Sequence, residues 1–419
     1  MRLPKRRARW AWPRETDVPS ELPPTAGLPL RVTDLLPGRA PFAERVAEWL
    51  QVEQLQLECS GTAAMVVALA AMKRLRPQRD EVIVPAWTCP LVALAIHRAG
   101  LKPRLCDLAP NHFDMDSSQL CLLAGDRTLA IVPTHLAGRV ADVNATLDVA
   151  HRVGAYVLED AAQALGAQHD GRSVGLLGDA GFFSLAVGKG LTLFEGGLLL
   201  TRDPVLRDAF AVSHDSTIRP DARMDWQRAL ELAGYTLAYR PSLLPLAYGR
   251  PLRKALAAND PVAAVGDDFG PDIPLHTVSE WRQAVGARAL TRLPAFLDAT
   301  RVQALRRVER LRQIPGITVF DDAPRQRGVW PFLLLTMPSE KARDEALRTL
   351  WTAGLGVSRL FIHALPDYAY LRDIVADTPL PNARSFAARS LTITNSLWLN
   401  DATFESICSV LERTVGQLS

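Results

Sequence analysis

The sequence lacks an apolar run of about 18 residues, the length that a membrane-spanning helix needs. It also lacks paired cysteines: its 5 cysteines are scattered and without CxxC spacing, so neither a disulfide framework nor a cysteine metal site is indicated. The net charge of +3 over 419 residues is too small to indicate a nucleic-acid partner. We therefore expect a cytoplasmic protein with reduced thiols, no metal, no nucleic-acid partner and no integral membrane segment.

Length and composition indicate a folded protein with more than one domain. Hydrophobic residues make up 48% and charged residues 22% of the chain, which is typical of globular proteins. A chain of 419 residues exceeds what one core usually holds. The basic N-terminus lacks the apolar core of a secretory signal. We predict a flexible basic arm over 1–24, a large domain over 25–290 with an insertion at about 215–275, and a smaller C-terminal domain over 291–419.

Short apolar runs alternate with helical periodicity in the first half of the chain. Such alternation predicts βαβ units and a mostly parallel sheet flanked by helices, so the fold class is α/β. Helical periodicity is also present from Phe42 to Leu57, and from Ser279 to Leu311 with a break around Leu293-Pro294. The C-terminal pattern indicates a smaller α+β domain. The β-type runs lie at 81–84, 103–106, 129–132, 156–158 and 197–200.

Lys189 lies between two glycines in an apolar segment, where its ammonium would be partly desolvated. Desolvation lowers the pKa of a lysine and leaves a nucleophilic amine that can form a Schiff base with a carbonyl cofactor. Upstream, Asp160 ends an apolar run at the predicted carboxyl end of a buried strand, where open α/β sheets bind ligands. Asp160 could there keep a pyridine nitrogen protonated. A buried structural salt bridge would also account for either residue alone.

A phosphate site is predicted at Ser60-Gly61-Thr62, directly before a strong helix former. Backbone N–H groups, hydroxyls and the positive end of the helix dipole attract phosphate at such a position. A plain helix cap explains these residues equally well. Ser184, shortly before Lys189, could add a hydroxyl to the same phosphate. A reactive lysine, an acid and a phosphate cup together indicate pyridoxal 5'-phosphate (PLP) as the cofactor.

Two further residues are candidates for contact with a planar cofactor. Gln163 follows Asp160 closely enough in a turn to hydrogen-bond a ring oxygen, and Trp87 follows a predicted strand and could stack on the ring. The alternative for Gln163 is an ordinary surface glutamine. For Trp87 it is a tryptophan packed in its loop.

Several short blocks follow one another along the chain: Cys59-Ser-Gly-Thr-Ala63, Glu81-Val-Ile-Val-Pro85, Val132-Pro-Thr-His-Leu136, Val157-Leu-Glu-Asp-Ala-Ala-Gln-Ala164, Gly178-Asp-Ala-Gly-Phe-Phe-Ser184, Gly188-Lys-Gly190 and Glu195-Gly-Gly197. In this order they resemble the DegT/StrS family of sugar aminotransferases, which are fold type I PLP enzymes. The resemblance covers about 40–215 well and 279–419 loosely.

The resemblance implies that Lys189 is the Schiff-base lysine, that Asp160 pairs with the pyridine nitrogen and that Gln163 binds the ring hydroxyl. Gly61, Thr62 and Ser184 would hold the phosphate. It also implies a homodimer. Relatives with histidine in place of this lysine dehydrate sugars, so lysine here favours transamination.

The chain departs from the family on the substrate side. The family's ring-stacking aromatic corresponds to Cys89, which leaves Trp87 as a displaced candidate. The block that usually reaches the partner subunit's site aligns only with Leu275-His-Thr277. His135, Arg359 and His363 are candidates for the substrate pocket, and a histidine buried against backbone is the alternative for either histidine.

The expected function is a PLP-dependent aminotransferase that moves an amino group from an amino acid, such as glutamate, to a keto-sugar that is nucleotide-linked. Because the chain departs from the family pattern at positions expected near the substrate, a second possibility remains: a PLP-binding regulator or a non-transaminating relative. A third is an aminotransferase that acts on a non-nucleotide or lipid-linked substrate.

Overall fold

The computed structural model describes residues 18–418, so 1–17 of the predicted basic arm and Ser419 lie outside the described residues. The remainder of that arm, 18–24, packs against the chain. Glu21 and Leu22 are buried, and their backbone N–H groups donate to the carbonyls of Pro241 and Gly354, each over 2.8 Å. This part of the arm is therefore held in place rather than solvated. Within 18–418, no helix combines the length and the apolar character needed to cross a bilayer.

The strands of the described chain form three sheets. Their bounds are β1 (Gln56–Glu58), β2 (Glu81–Pro85), β3 (Lys102–Cys106), β4 (Thr128–Ile131), β5 (Tyr156–Asp160), β6 (Gln168–His169), β7 (Arg172–Ser173), β8 (Ala180–Ser184), β9 (Gly197–Thr201), β10 (Thr318–Val319), β11 (Gln326–Arg327), β12 (Phe332–Thr336), β13 (Val357–Ser358) and β14 (Ser390–Thr394).

The largest sheet has seven strands in the order β1-β9-β8-β5-β4-β2-β3. Strands β3, β2, β4, β5 and β8 run parallel, and β9 and β1 add antiparallel pairs at one edge. Strands β4, β8 and β9 are buried along their whole length. Apolar runs without alternation are what a sheet covered by helices on both faces requires. The prediction of a mostly parallel sheet flanked by helices is confirmed.

Helices separate most of these strands. Their bounds are α1 (Phe42–Leu50), α2 (Gly61–Leu75), α3 (Pro90–Arg98), α4 (Ser117–Leu123), α5 (Val143–Val153), α6 (Pro204–Thr217), α7 (Ala222–Ala238), α8 (Arg250–Ala257), α9 (Pro261–Val265), α10 (Glu280–Leu290), α11 (Leu293–Arg312), α12 (Glu340–Leu350), α13 (Pro381–Arg389) and α14 (Asp401–Leu418).

Two helix predictions have different outcomes. The helix expected over Phe42–Leu57 ends at Leu50, because Gln51 adopts a left-handed conformation with a φ of 57° and the chain then enters the edge strand β1. The helix expected from Ser279 with a break near Leu293-Pro294 is observed as α10 and α11. Proline is tolerated there because it lies in the first turn of α11, where its missing N–H has no helical partner to lose.

A four-stranded antiparallel sheet, in the order β10-β12-β14-β13, forms the centre of the C-terminal part. Its strand β12 is fully buried, and α12 and α14 contribute to the same hydrophobic core. Leu252 and Leu256 of α8 also pack into this core, together with Trp351. The segment between the two larger sheets therefore belongs partly to the packing of the C-terminal region. The boundaries proposed for the domains remain a prediction.

Candidate functional site

Asp160 and Lys189 reach the same place from two neighbouring strands. Asp160 is the last residue of β5, and Lys189 lies in the loop that follows β8, its parallel neighbour. Burial raises the pKa of Asp160 and lowers that of Lys189, and each charge partly offsets the shift of the other. The two groups therefore lie close enough to interact electrostatically. Lys189 itself is half-buried.

The loop that carries Lys189 is covered by residues near the start of the described chain. The backbone N–H of Leu28 donates to the carbonyl of Gly190 over 2.9 Å. Gly188 has a φ of +80°, and a Cβ there would lie 2.5 Å from Oγ1 of Thr25. Glycine is therefore required at 188 both for the left-handed backbone and for the close approach of Thr25. This packing holds the lysine loop against the body of the protein.

The predicted phosphate residues lie together at the start of α2. Ser60 caps the helix, and its Oγ accepts a hydrogen bond from the N–H of Ala63 over 3.0 Å. A Cβ on Gly61 would lie 3.1 Å from the Cβ of Ser184, which ends β8. Thr62 occupies the first turn, whose N–H groups have no partners within the helix. The first turn of α2 and Ser184 thus form one cradle, in which the Ser60 hydroxyl also serves as the cap.

Gln163 lies beside a tight turn. Its Oε1 accepts a hydrogen bond from the N–H of Ala137 over 2.8 Å, where Ala137 has a positive φ of 54°. Gln163 also lines a small cavity together with Gly190, the neighbour of Lys189. The side chain is therefore near the lysine loop, and the turn fixes its carbonyl end. The NH₂ group, which is the donor end of the amide, is thereby directed away from the turn and can donate to a ligand.

Trp87 is packed in the hydrophobic core. The Trp87 ring is 1% exposed and packs against Phe361 and Phe386, with ring centroids 5.4 and 4.8 Å away. Its Nε1 donates to the carbonyl of Phe361 over 3.4 Å. This packing argues against the predicted ring-stacking role and matches the alternative of a tryptophan packed in its loop.

Cys89, two residues after Trp87, is the member of this loop that faces the pair. Burial raises the pKa of its thiol to about 12, and the charges of Lys189 and Asp160 act on it from the same site. Cys89 keeps part of its surface accessible. The position where the resemblance places an aromatic ring is therefore occupied by a small, un-ionised thiol.

His135 is bonded through both ring nitrogens. Its Nδ1 accepts from the N–H of Ala141 over 3.1 Å, and its Nε2 lies 2.8 Å from Oε2 of Glu159. An Nδ1 that accepts leaves the proton on Nε2, which donates to the carboxylate. His135 and Glu159 are both fully buried. These bonds match the alternative of a structural histidine and argue against the predicted substrate role.

Arg359 and His363 lie on one segment near the site. Nη2 of Arg359 donates to the carbonyls of Ile362 and Ala387 over 2.9 and 2.8 Å. Burial lowers the pKa of Arg359 to about 9, and burial together with the Arg359 charge lowers that of His363. The His363 ring lies edge-on to the ring of Tyr368, with centroids 5.3 Å apart. Both residues therefore border a buried polar network.

Asp267, which sequence reasoning missed, is at the centre of that network. Its Oδ2 accepts from the hydroxyl of Tyr368 over 2.6 Å and from the N–H of Ile362 over 3.2 Å. Burial raises the pKa of Asp267 to about 6, and the bond from Tyr368 opposes the shift. The Asp267 charge in turn acts on Cys89. No local signal marked Asp267, because its partners lie far along the chain.

A cleft opens next to the carboxyl ends of β2 and β4. It contains a cavity of about 160 Å³ lined by Pro85, Thr134, Asp114 and Asp142. Burial and the neighbouring Asp142 raise the pKa of Asp114 to about 7. Ligands of open α/β sheets bind at this end of the strands. The cleft therefore lies at the same edge of the sheet as Asp160, which ends β5.

Comparison with known proteins identifies the family. Residues 34–240 and 275–412 match the model of the DegT/DnrJ/EryC1/StrS aminotransferase family. The chain belongs to this family. The resemblance seen in the sequence blocks is therefore confirmed. The family model leaves out 241–274, the stretch that carries Asp267.

Relatives within the family differ in how much of the chain they match. GDP-perosamine synthase of Caulobacter vibrioides is 36% identical over 182 residues, which are 43% of this chain and 48% of that protein. The chain thus spans about half of that relative's length. The spore coat polysaccharide biosynthesis protein SpsC of Bacillus subtilis is 28% identical over 367 residues, which are 84% of this chain and 83% of that protein.

The fold matches solved structures over nearly the whole chain. The putative sugar aminotransferase Spr1654 of Streptococcus pneumoniae, in its PMP form, aligns with a TM-score of 0.72 and 19% identity. The alignment covers 96% of this chain and all of Spr1654. At this identity the match concerns the fold alone. The predicted fold type I architecture is confirmed.

Proposed function

We propose that the chain is a PLP-dependent aminotransferase that transfers an amino group from an amino acid, with glutamate as the expected donor, to a keto-sugar. The reaction would belong to the biosynthesis of amino sugars, polysaccharides or natural products. One observation carries the proposal: the half-buried Lys189 and the buried Asp160 lie at one end of parallel strands, next to the first turn of α2. An amine, a carboxylate and a phosphate cradle in this arrangement are the groups that PLP requires.

The side chains present fit this cofactor. Gly61 leaves open the space beside Ser184 that a Cβ would fill, so the N–H groups of the first turn of α2 are accessible to a phosphate. Thr62 and Ser184 add hydroxyls. Asp160 would hold the protonated pyridine nitrogen, and the NH₂ end of Gln163 would donate to the ring oxygen.

When bound, PLP supplies an electron sink for the carbon that carries the amino group. Lys189 would carry out the proton transfers. Because burial lowers its pKa, more of its amine is neutral near pH 7 and able to act as a nucleophile and to move a proton at the substrate carbon. Burial raises the pKa of Asp160, and the N–H of Ala162, which donates to its Oδ1 over 3.0 Å, opposes this shift. The cover formed by Thr25 and Leu28 restricts water at the lysine loop.

Membership of the family supports a proposal on the substrate class and on the assembly. The names of the relatives point to sugar chemistry, and we infer a nucleotide-linked keto-sugar as acceptor. We also infer a homodimer, because small-molecule sites of this fold type are completed at a twofold interface and twofold assemblies are the commonest. A cytoplasmic location is part of the same proposal.

The test is a labelling and turnover experiment on the purified protein. It should retain a visible absorbance band from the bound cofactor, and borohydride reduction followed by peptide mapping should place a pyridoxyl group on Lys189. Incubation with L-glutamate should remove the band and release 2-oxoglutarate. Lys189→Ala should abolish both the label and the release. Label on another lysine would refute the assignment, and a bound cofactor that glutamate leaves unchanged would favour the PLP-binding regulator.

A further inference from the structure

Helix α7 presents an exposed apolar face. Trp226, Leu230 and Leu237 are 72%, 68% and 53% exposed. Because these positions are four and then seven residues apart, they lie on one face of the helix. Leu232 and Thr236, on the other side of α7, are 0% and 3% exposed. The helix is therefore packed by one face, and its apolar face has no partner in the described part of the chain.

The turn that follows α7 adds two exposed leucines. Leu243 and Leu246 are 42% and 57% exposed. They lie directly after Pro241, whose carbonyl accepts from the N–H of Glu21 over 2.8 Å. Single exposed leucines are ordinary on a protein surface, whereas a group of large apolar side chains marks a surface that binds a partner. We call this group the α7 patch: Trp226, Leu230, Leu237, Leu243 and Leu246.

The exposed charges near the α7 patch are mainly basic. Of the acidic residues on α7, Asp225 lies 3.6 Å from the guanidinium of Arg282. Glu231 lies 2.7 Å from that of Arg228, and the exposed Asp221 caps the helix. No acidic residue occurs in the sequence from 232 to 259. The exposed basic side chains of α7, the turn and α8 are those of Arg223, Arg240, Arg250 and Lys254.

The sequence of 1–17 adds charge of the same sign. These residues lie outside the described structure and join it at Val18, shortly before the bond between Glu21 and Pro241. The chain therefore enters the fold beside the turn of the α7 patch. Basic residues and tryptophans together are typical of segments that bind anionic headgroups. Those of 1–17 are Arg2, Lys5, Arg6, Arg7, Arg9, Trp10, Trp12 and Arg14.

Charge distinguishes the surfaces that could cover the α7 patch. A second copy of this chain, related by a twofold axis, would bring the same basic side chains against one another. The segment 1–17 would also meet charge of its own sign. A bilayer with anionic headgroups offers negative charge to the basic side chains and an apolar layer to the leucines and Trp226. The bilayer is the partner that fits both properties.

We propose that the α7 patch docks on the surface of an anionic lipid bilayer, with Trp226, Leu230 and Leu237 inserted at the level of the headgroups. Stable attachment of this kind needs two signals, and here they are apolar insertion and basic charge. The protein binds along the surface and does not span the bilayer. The proposal is independent of the proposed function, because it concerns what the protein binds and not which group it transfers.

Vesicle flotation of the full chain loaded with PLP tests the proposal. The vesicles consist of phosphatidylcholine alone or of an equimolar mixture with phosphatidylglycerol. The apolar variant is Trp226→Ser/Leu230→Ser, and the charge variant is Arg240→Gln/Lys254→Gln. The matched control is Leu122→Ser/Val302→Ser, at side chains of α4 and α11 that are 87% and 63% exposed. Light scattering without vesicles gives the oligomeric state of each protein.

We expect the wild type to float with the mixed vesicles and not with phosphatidylcholine, and its binding to weaken as salt is raised. The apolar variant should bind at least about 10-fold more weakly, because two large apolar side chains no longer enter the bilayer. The charge variant should also lose roughly 10-fold, and the control should match the wild type. All four proteins should have the same mass in solution and similar melting temperatures, since the changes are at the surface.

The proposal is overturned if the wild type floats with neither kind of vesicle, or equally with both. It is also overturned if the apolar variant floats as the wild type does. A change of oligomeric state in the apolar variant would assign the α7 patch to contact between copies of the chain instead. A wild type that binds the vesicles but does not convert glutamate contradicts the proposed function and leaves the docking intact, so the two failures are distinguishable.

Discussion

Glu159 binds His135 on the opposite face of the strand end from Asp160, over a distance of 2.8 Å between Oε2 and Nε2. Successive residues of a strand point to opposite faces, so one dipeptide serves two purposes. Asp160 faces the site, whereas Glu159 also accepts from the N–H groups of Gly175, Leu177 and Gly178 over 2.7 to 2.8 Å. The second carboxylate thereby anchors the loop that leads into β8.

Glu159→Ala should destabilise the protein by about 3–5 kcal/mol, because it leaves several buried donors without an acceptor. Urea unfolding followed by circular dichroism measures the change. Glu53→Ala is the control: Glu53 pairs with Arg207, but its side chain is 80% exposed, so we expect less than about 1 kcal/mol. Equal losses in the two variants would contradict the anchoring role.

Asp160→Asn should retain the cofactor and lower kcat about 100-fold or more, because the electrostatic support of the ring nitrogen is lost. Steady-state turnover and the absorbance of the bound cofactor are the two measurements. The exposed Asp208→Asn should behave as the wild type. Near-normal turnover in Asp160→Asn would show that this carboxylate is structural.

Gly61→Ala should weaken cofactor binding by roughly 10-fold, since the new Cβ would lie 3.1 Å from Ser184 and crowd the cradle. Equilibrium dialysis gives the dissociation constant. Gly234→Ala, where a Cβ meets nothing within 4 Å, controls for the substitution itself. An unchanged affinity in Gly61→Ala would place the phosphate elsewhere.

Asp114 should make the protein less stable as pH rises. Its folded pKa of about 7 lies above the usual value of 3.8, so the folded state holds this proton more tightly than the unfolded state between these values. Its contribution is therefore lost between about pH 4 and 7. Because 22% of the side chain is exposed, we expect about 1–2 kcal/mol. Thermal melts at pH 5 and 8 should show Asp114→Asn to be stabilised more strongly at pH 8 than at pH 5. An equal difference between variant and wild type at the two pH values would contradict the raised pKa of Asp114.

The parts of the site that local sequence could predict are those held by neighbouring residues. Asp160 ends an apolar strand, Lys189 follows a glycine in a tight loop, and Ser60 precedes a helix, and each is found there. Apolar runs, glycine turns and helix starts can be recognised within a few residues of sequence, so these three positions could be predicted.

The remaining parts depend on contacts between distant segments. Asp267 and Tyr368 are 101 positions apart, and neither lies in a stretch whose composition points to the other. The loop 86–89 is bound by the C-terminal segment: the Leu365 N–H donates to the Ala86 carbonyl, and Trp87 packs against Phe361 and Phe386, whereas Cys89 stays partly accessible. From the sequence alone, both Trp87 and Cys89 are candidates for the site, because the sequence does not show which of the two side chains the C-terminal segment buries.

The segment 241–274 takes part in two structures at once. Leu252 and Leu256 fill the core of the C-terminal sheet, and Asp267 accepts hydrogen bonds from Tyr368 and Ile362. A chain trimmed to the ranges shared with the family would lose this core packing together with the carboxylate that accepts from the Tyr368 hydroxyl. Loss of this segment would therefore weaken the C-terminal half in two places, so a shortened form of the protein should be less stable than the full chain.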